Sequence, residues 1–363
     1  MAKKKNVTIY GCGMSGLVAA INLAREGYEV TVHDREKSYG GDPMYNPSAH
    51  TTPILPKKVS DYIGIDITPC FQPLQHLPSY FHETKVEGCP PISGEYTVER
   101  GPRPTSLDSY LYPKACDLGV KFEFNSPLKK DEIAGLEPGT IIACGLTPDV
   151  YDMLEIPYYR WYGWISRGEI GFSARSWLWW DECITEYGYL SSINNYYFNL
   201  LFSIKPVSKE ALEKYKDFMK RREGVEHAEW HYGGGAVPTV APENPQLFRK
   251  GLIYCGTMSG FMEPFGWFGI NGALISGKLA AMAVSDPAKA QAEFADLSRY
   301  FYNAWWFKNK IWYPYLRGHI GMFEKIINLI GPDRFSRLLA KYINEQRHVP
   351  FAIPGYANLG ARY

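Results

Sequence analysis

Gly11, Gly13 and Gly16 stand in the order glycine–x–glycine–x–x–glycine, with Cys12, Met14 and Ser15 between them. Where a strand leads into such a turn and a helix leaves it, free amides and the positive end of the helix dipole receive a pyrophosphate. Gly11 permits the tight turn, Gly13 lets phosphate approach the backbone, and Gly16 lets helix and strand pack closely. Met14 and Ser15 bring the first helical amides. Asp34 lies 18 residues past Gly16, where a carboxylate takes hydrogen bonds from ribose hydroxyls. Arg35 follows it, and Gly40 and Gly41 make a second glycine turn.

Holding this constellation requires a strand–helix–strand unit. Residues 7–10 and 28–33 read as buried strands, and 17–26 as the helix between them, closed by Gly27. The chain then leaves the regular pattern. Residues 40–104 are rich in Pro and Gly and read as loops and short strands. A helix is expected at 107–118, and strands at 120–124 and 140–144, the latter ending at Gly145. Fifteen aromatics in 158–202 predict antiparallel strands of a second domain. A helix follows at 209–222, a returning strand at 251–255 and a helix at 270–284. Further helices are expected at 288–309, 321–330 and 333–346. The fold class is α/β: a Rossmann-type domain with a central parallel sheet, an antiparallel-sheet cap and C-terminal helices. Its expected parts are a discontinuous nucleotide domain (1–150 and 236–287), a cap (151–235) and a helical tail (288–363).

Composition narrows the function. Lys plus Arg number 39 and Asp plus Glu 38, so no basic surplus points to nucleic acid. The seven cysteines are scattered singly, which argues against a disulfide framework, a zinc site or a dithiol pair; no metal is expected. No apolar leader and no run of 18 apolar residues is present, so a cytoplasmic protein is expected. Aromatics reach 15%, enough to build large flat surfaces.

A late glycine-rich stretch carries a resemblance. Gly256, Thr257, Met258, Ser259 and Gly260 are followed by Pro264, Gly266, Gly269, Ile270, Asn271, Gly272 and Gly277. This resembles the flavin-closing segment of FAD-dependent oxidoreductases of the glutathione-reductase-2 superfamily, nearest its geranylgeranyl reductase and aromatic hydroxylase group. The resemblance implies FAD as cofactor, with Gly256 and Thr257 at ribityl and phosphate. The amides of Gly269, Ile270 and Asn271 would face the flavin pyrimidine edge, which becomes anionic on reduction. The helix led by Arg103 resembles the family's arginine-led helix and implies Arg103 near ribityl and phosphate. Residues 141–145 resemble the strand beside the adenosine half, implicating Cys144 and Gly145. Thr257 stands where the family has Asp, and the aromatic–proline signature of prenyl reductase caps is absent. The spacing of Gly40 and Gly41 after Asp34 also resembles amine oxidases and carotenoid desaturases. The cap and the tail match no named family.

On the substrate side the candidates are Trp267 in the closing turn, His231 before Gly233, Gly234 and Gly235, and His50 after the glycine turn. Each histidine has two readings, proton donor or structural hydrogen-bonding residue. The cap aromatics read either as an apolar cavity or as packing. The expected function is an FAD-dependent oxidoreductase reducing a carbon–carbon double bond of an apolar (isoprenoid or aromatic-derived) substrate, by hydride transfer from reduced flavin N5. The alternatives are aromatic hydroxylation, and a flavin-binding electron-transfer or structural subunit. No second glycine fingerprint exists, so the electron donor is NAD(P)H or a ferredoxin. Residues 300–323 hold ten aromatics, interspersed with Lys308, Lys310 and Arg317. That mixture suits peripheral membrane contact or a protein partner, or packing of the tail on the cap.

Overall fold

Val7 and Ile9 alternate inward along β1 (Asn6–Tyr10), as do Val30 and Val32 along β2 (Glu29–His33). Between them runs α1 (Met14–Arg25), buried from Met14 to Leu23 on all faces. The computed structural model describes residues 5–74, 77–87, 95–238 and 245–345. Cys89, residues 346–363 and the side chains of Leu339, Lys341, Tyr342 and Ile343 lie outside the described residues.

The central sheet has six strands in the order Phe248–Arg249, Leu252–Tyr254, Ile141–Ile142, β1, β2, Lys121–Glu123. All neighbours are parallel except the first pair. Chain from both ends therefore shares one sheet. The late helix Ile270–Ser285 packs on α1, and glycines permit the approach: a Cβ on Gly277 would lie 2.5 Å from the Ser15 carbonyl. A three-stranded sheet, Ser48–Pro53, Glu95–Arg100 and Phe71–Pro73, links this layer to the cap. The helix Pro56–Ile63 was not expected; its signals are Pro56 in the first turn and Gly64 in the left-handed conformation after the last.

The cap is a seven-stranded sheet in the order His231–Pro238, Tyr158–Glu169, Tyr196–Ser203, Gly188–Ile193, Ser176–Trp180, Ser79–Phe81, Thr84–Val86. Its aromatic content divides between two faces. The row Ser166, Asn199, Leu190, Trp177 points toward the helix Lys209–Phe218, and Trp177, Trp179, Tyr215 and Phe218 form that core. The row Ile165, Leu200, Tyr189, Leu178 points the other way, toward the nucleotide layer. Packing and cavity are therefore both realised, one per face.

The tail starts with Pro287–Phe307, capped by the Asp286 side chain at 3.0 Å from the Lys289 amide. It continues as a π-helix, Lys308–Leu316, then as Ile320–Ile330 and Pro332–Glu345. Phe307, Trp312, Tyr313 and Phe323 join one cluster with Trp180, Tyr187 and Phe202 of the cap. These four pack on the cap, Phe301 and Trp305 pack on the central-sheet layer, and Tyr302, Trp306 and Tyr315 are exposed. No helix among the described residues is long and apolar enough to cross a membrane.

Candidate functional site

A cleft of about 380 Å³ opens where β1 meets α1. Gly11 holds φ +112° with its Cα against the neighbouring strand; a Cβ there would lie 2.2 Å from the Ala143 carbonyl. A Cβ on Gly16 would lie 2.0 Å from the Gly11 carbonyl. Both glycines therefore build the turn. Gly13, Met14 and Ser15 line the cleft, and a Cβ on Gly13 would meet nothing within 4 Å. The Asp34 carboxylate accepts from the Cys12 amide at 2.6 Å and from the Glu36 amide at 2.8 Å. Burial pushes its pKa up, and those two amides oppose the shift. Arg35, Gly41, Cys144, Gly145, Gly256, Thr257, Gly269 and Ile270 complete the wall.

Two helices aim their N-termini at this cleft. The N-cap of α1 is Gly13 and that of the late helix is Gly269; neither has a side-chain cap. The first amides of each helix have no intrahelical acceptor. Asn271 lies just inside the second terminus, 4% exposed, with its Oδ1 unpartnered. Thr257 Oγ1 makes no well-formed hydrogen bond either, with the Tyr151 hydroxyl as its polar neighbour.

The cleft runs into an apolar cavity of about 170 Å³ beneath the cap sheet. Tyr45, His50, Met262, Trp267 and Ile270 line both spaces and so mark their junction. Trp267 has φ +58°, a left-handed conformation uncommon for a bulky residue. Its turn is over-determined. Glu263 accepts from the amides of Phe265 at 2.8 Å and Gly266 at 2.6 Å, and the Tyr187 hydroxyl donates to the Gly266 carbonyl. The Lys308 ammonium sits 4.5 Å from the Trp267 ring and donates to the Phe265 carbonyl and Glu186, each at 2.8 Å. His50 is 2.8 Å from Ser48 Oγ. Burial, helped by Arg100, pushes its imidazole down to about 3, so it is neutral near pH 7.

Several expected residues stand elsewhere. His231 is exposed at the start of the cap's edge strand, whereas the far end of that strand reaches the cavity at Val237. It therefore cannot donate a proton there. Gly234 is the useful member of that strand: its carbonyl accepts from the Tyr45 hydroxyl. Arg103 turns away from the cleft because Glu99, fully buried, takes it at 2.6 Å; its other contacts are the Asn194 carbonyl and the Tyr196 ring. Arg100 lines the cleft instead, doubly bonded to Asp108 at 2.7 and 2.9 Å. Gly40 is buried and shapes its turn, since a Cβ would lie 2.7 Å from the Pro102 nitrogen. Sequence reasoning missed Arg100 and Tyr45; the carboxylate of Asp108, eight residues after Arg100, was the available signal.

The NAD(P)-binding Rossmann-like domain family matches residues 9–49. A segment of 111 residues is 36% identical to the flavin-containing monooxygenase FMO GS-OX4 of Arabidopsis thaliana, over 30% of this chain and 21% of that protein. FMO GS-OX2 of the same organism is 46% identical over 50 residues, which is 14% of this chain and 11% of the relative. The chain thus spans only a minor part of the curated relatives it matches. Similar solved structures cover nearly the whole chain. The p-nitrophenol 4-monooxygenase PnpA of Pseudomonas putida DLL-E4 has a TM-score of 0.62 at 14% identity, covering 96% of this chain and 100% of that one. PqsL of P. aeruginosa, solved with 2-aminobenzoylacetate, has a TM-score of 0.57 at 14% identity, covering 94% and 100%. At these identities the likeness establishes the fold: a Rossmann-type α/β layer, an antiparallel cap and C-terminal helices.

Proposed function

We propose that the chain is an FAD-dependent oxidoreductase that hydroxylates a compact aromatic substrate. The observation that carries this reading is the union of cleft and aromatic cavity at His50 and Trp267. The cleft suits FAD on its own residues. Two uncapped helix N-termini and the open space at Gly13 suit an anionic ligand, the Thr257 hydroxyl can donate to it, and the unpartnered Asn271 Oδ1 calls for an N–H or O–H donor of the same ligand. When bound, FAD supplies the redox chemistry and the activation of oxygen.

The protein's own contributions follow from position. The α1 amides and Gly13 would hold the pyrophosphate, and Asp34 would hold the ribose. The first amides after Gly269 would favour the negative charge that the flavin gains on reduction. Trp267 and His50 wall the junction, and the cap sheet excludes water above it. Of the two oxygen atoms consumed, one enters the ring and one leaves as water; NAD(P)H or a ferredoxin supplies the reducing equivalents.

The cavity favours hydroxylation over isoprenoid reduction. A dry apolar cavity of roughly 150 Å³ takes one benzene ring, and this one is 170 Å³. A twenty-carbon chain would extend well beyond such a volume. Reduction of a carbon–carbon double bond also needs an acid to protonate carbon. Among the described residues no carboxyl lines the cavity and the His50 imidazole is neutral near pH 7, which leaves a tyrosine hydroxyl such as that of Tyr189, a weak acid, for that step. The monooxygenase names of the relatives agree with this choice.

The test combines cofactor and product. The purified protein is expected to be yellow and to release FAD on acid precipitation. With NADPH or reduced ferredoxin, ¹⁸O₂ and a panel of monocyclic phenols, one product should gain a single ¹⁸O. A colourless protein that FAD cannot reconstitute, or a reduced product without ¹⁸O, sinks the reading.

A further inference from the structure

We propose that the cavity selects an uncharged single-ring aromatic with one hydroxyl or carbonyl substituent, held by Thr52 and Tyr189, and that it rejects aromatic carboxylates. This deepens the proposed function and rests on its assignment of the cavity as the substrate site.

Most polar groups around the cavity are already spent. The Tyr45 hydroxyl donates to the Gly234 carbonyl and the Tyr187 hydroxyl to the Gly266 carbonyl. Thr51 donates to Ser176, and Ser176 to the Leu190 carbonyl. Two hydroxyls remain. Thr52 lines the cavity at 1% exposure, and its Oγ1 has no hydrogen-bond partner. Tyr189 stands between Leu178 and Leu200 on the cavity face of the cap sheet, and its hydroxyl makes no hydrogen bond among the described residues. Burial alone raises its pKa, so it stays protonated and can donate. A buried hydroxyl without a partner, as at Thr52, is rare because its desolvation goes uncompensated, and the hydroxyl of the half-buried Tyr189 is free beside the same space. A ligand hydroxyl or carbonyl would satisfy both.

Charge is treated oppositely. Among the described residues no Asp, Glu, Lys or Arg lines the cavity. Three cations stand near it without lining it. Arg167, opposite Phe198, donates through Nη2 to the Pro43 carbonyl. Arg100 faces the cleft and is paired with Asp108, while Lys308 lies against the Trp267 ring and is paired with Glu186. A carboxylate entering the cavity would lose its water and gain no counter-charge.

The holoprotein is titrated at neutral pH with phenol, toluene and benzoate, reading the perturbation of the flavin absorbance band. Phenol should bind most tightly. Toluene should bind roughly twofold to tenfold more weakly, the worth of one net hydrogen bond. Benzoate should trail phenol by at least about tenfold. Tyr189→Phe should bring phenol down to the level of toluene and leave toluene unchanged; Thr52→Val carries the same comparison if that variant does not fold. Benzoate binding as tightly as phenol, or a phenol advantage that survives both variants, overturns the inference while leaving FAD binding intact. A protein without FAD fails the parent reading instead. The same ranking, read by quenching of tryptophan fluorescence, then still decides the cavity's preference.

Discussion

Gly13 and Thr257 both line the cleft and make different demands. A Cβ on Gly13 meets no protein atom within 4 Å, so a larger side chain is harmless to the fold and enters the space proposed for the pyrophosphate. Gly13→Val should therefore abolish FAD binding with an unchanged near-ultraviolet dichroism spectrum of the cap tryptophans. Stoichiometric FAD in that variant would contradict the assignment of the turn. Thr257 contributes one neutral hydroxyl, worth about 0.5–1.5 kcal/mol net once bonded. Thr257→Ala should weaken FAD affinity by up to roughly tenfold, and Thr257→Ser should restore it. Equilibrium titration with FAD measures both; an unchanged Ala variant would mean that Gly256 and Thr257 do not contact the cofactor.

Elements, rather than single residues, decide how the tail is attached. His82 sits in the turn after the strand Ser79–Phe81 and joins the cap to the helix Ile320–Ile330. Its Nδ1 is 3.0 Å from Glu324, and its Nε2 bonds Glu182 and lies 3.6 Å from Asp181. Lys214 also pairs with Asp181, at 2.6 Å, so this acidic group is already neutralised. Burial alone would lower the histidine's pKa, but the hydrogen bonds that its ring donates to the Glu182 and Glu324 carboxylates outweigh it and raise the value above 6.5. A pKa raised in the folded state gives stability that is complete below the unfolded value and lost as pH rises through the folded one. Hydrogen exchange of 320–330, corrected for its intrinsic rate, should therefore show weaker protection as pH climbs from about 6.5. His82→Gln should flatten that dependence; a slope unchanged by the variant would place the titration elsewhere. The sequence made the nucleotide turn legible, because glycine spacing, Asp34 and flanking strands are local features. It could not separate Arg100 from Arg103, since the choice depends on which carboxylate, Asp108 or Glu99, the folded chain places beside each. His231 failed for the same reason: strand position, not residue type, put it in solvent. The aromatic run announced a sheet, but only strand pairing showed which rings face the cavity and which face the helix.

At the scale of the whole molecule, the tail reaches the junction of cleft and cavity through one buried cation. Lys308 is 3% exposed and Glu186 2%. Tyr313 donates to the same carboxylate, and Arg317 donates to the backbone carbonyls of Asp181, Thr185, Ile184 and Glu186. Burial lowers the pKa of Lys308, and the Glu186 carboxylate opposes that shift. The ammonium also lies over the Trp267 ring, an attraction worth about 2 kcal/mol when desolvated. Tail, cap and closing turn are thus tied at one point. Lys308→Met removes one partner and leaves Glu186 buried without its cation, which costs about 3–5 kcal/mol in comparable pairs. Thermal unfolding should shift down by several degrees, and, if Trp267 lies beside FAD as proposed, FAD should fluoresce more strongly once that ring loses its fixed position. A second change tests whether the loss comes from the uncompensated charge. Lys308→Met combined with Glu186→Leu removes both ions, so the desolvation penalty disappears and much of the thermal stability should return. The Trp267 contact stays lost in the double variant, and FAD fluorescence should remain high. Recovery of both readouts together would mean that Lys308 stabilises the tail alone and does not position the tryptophan.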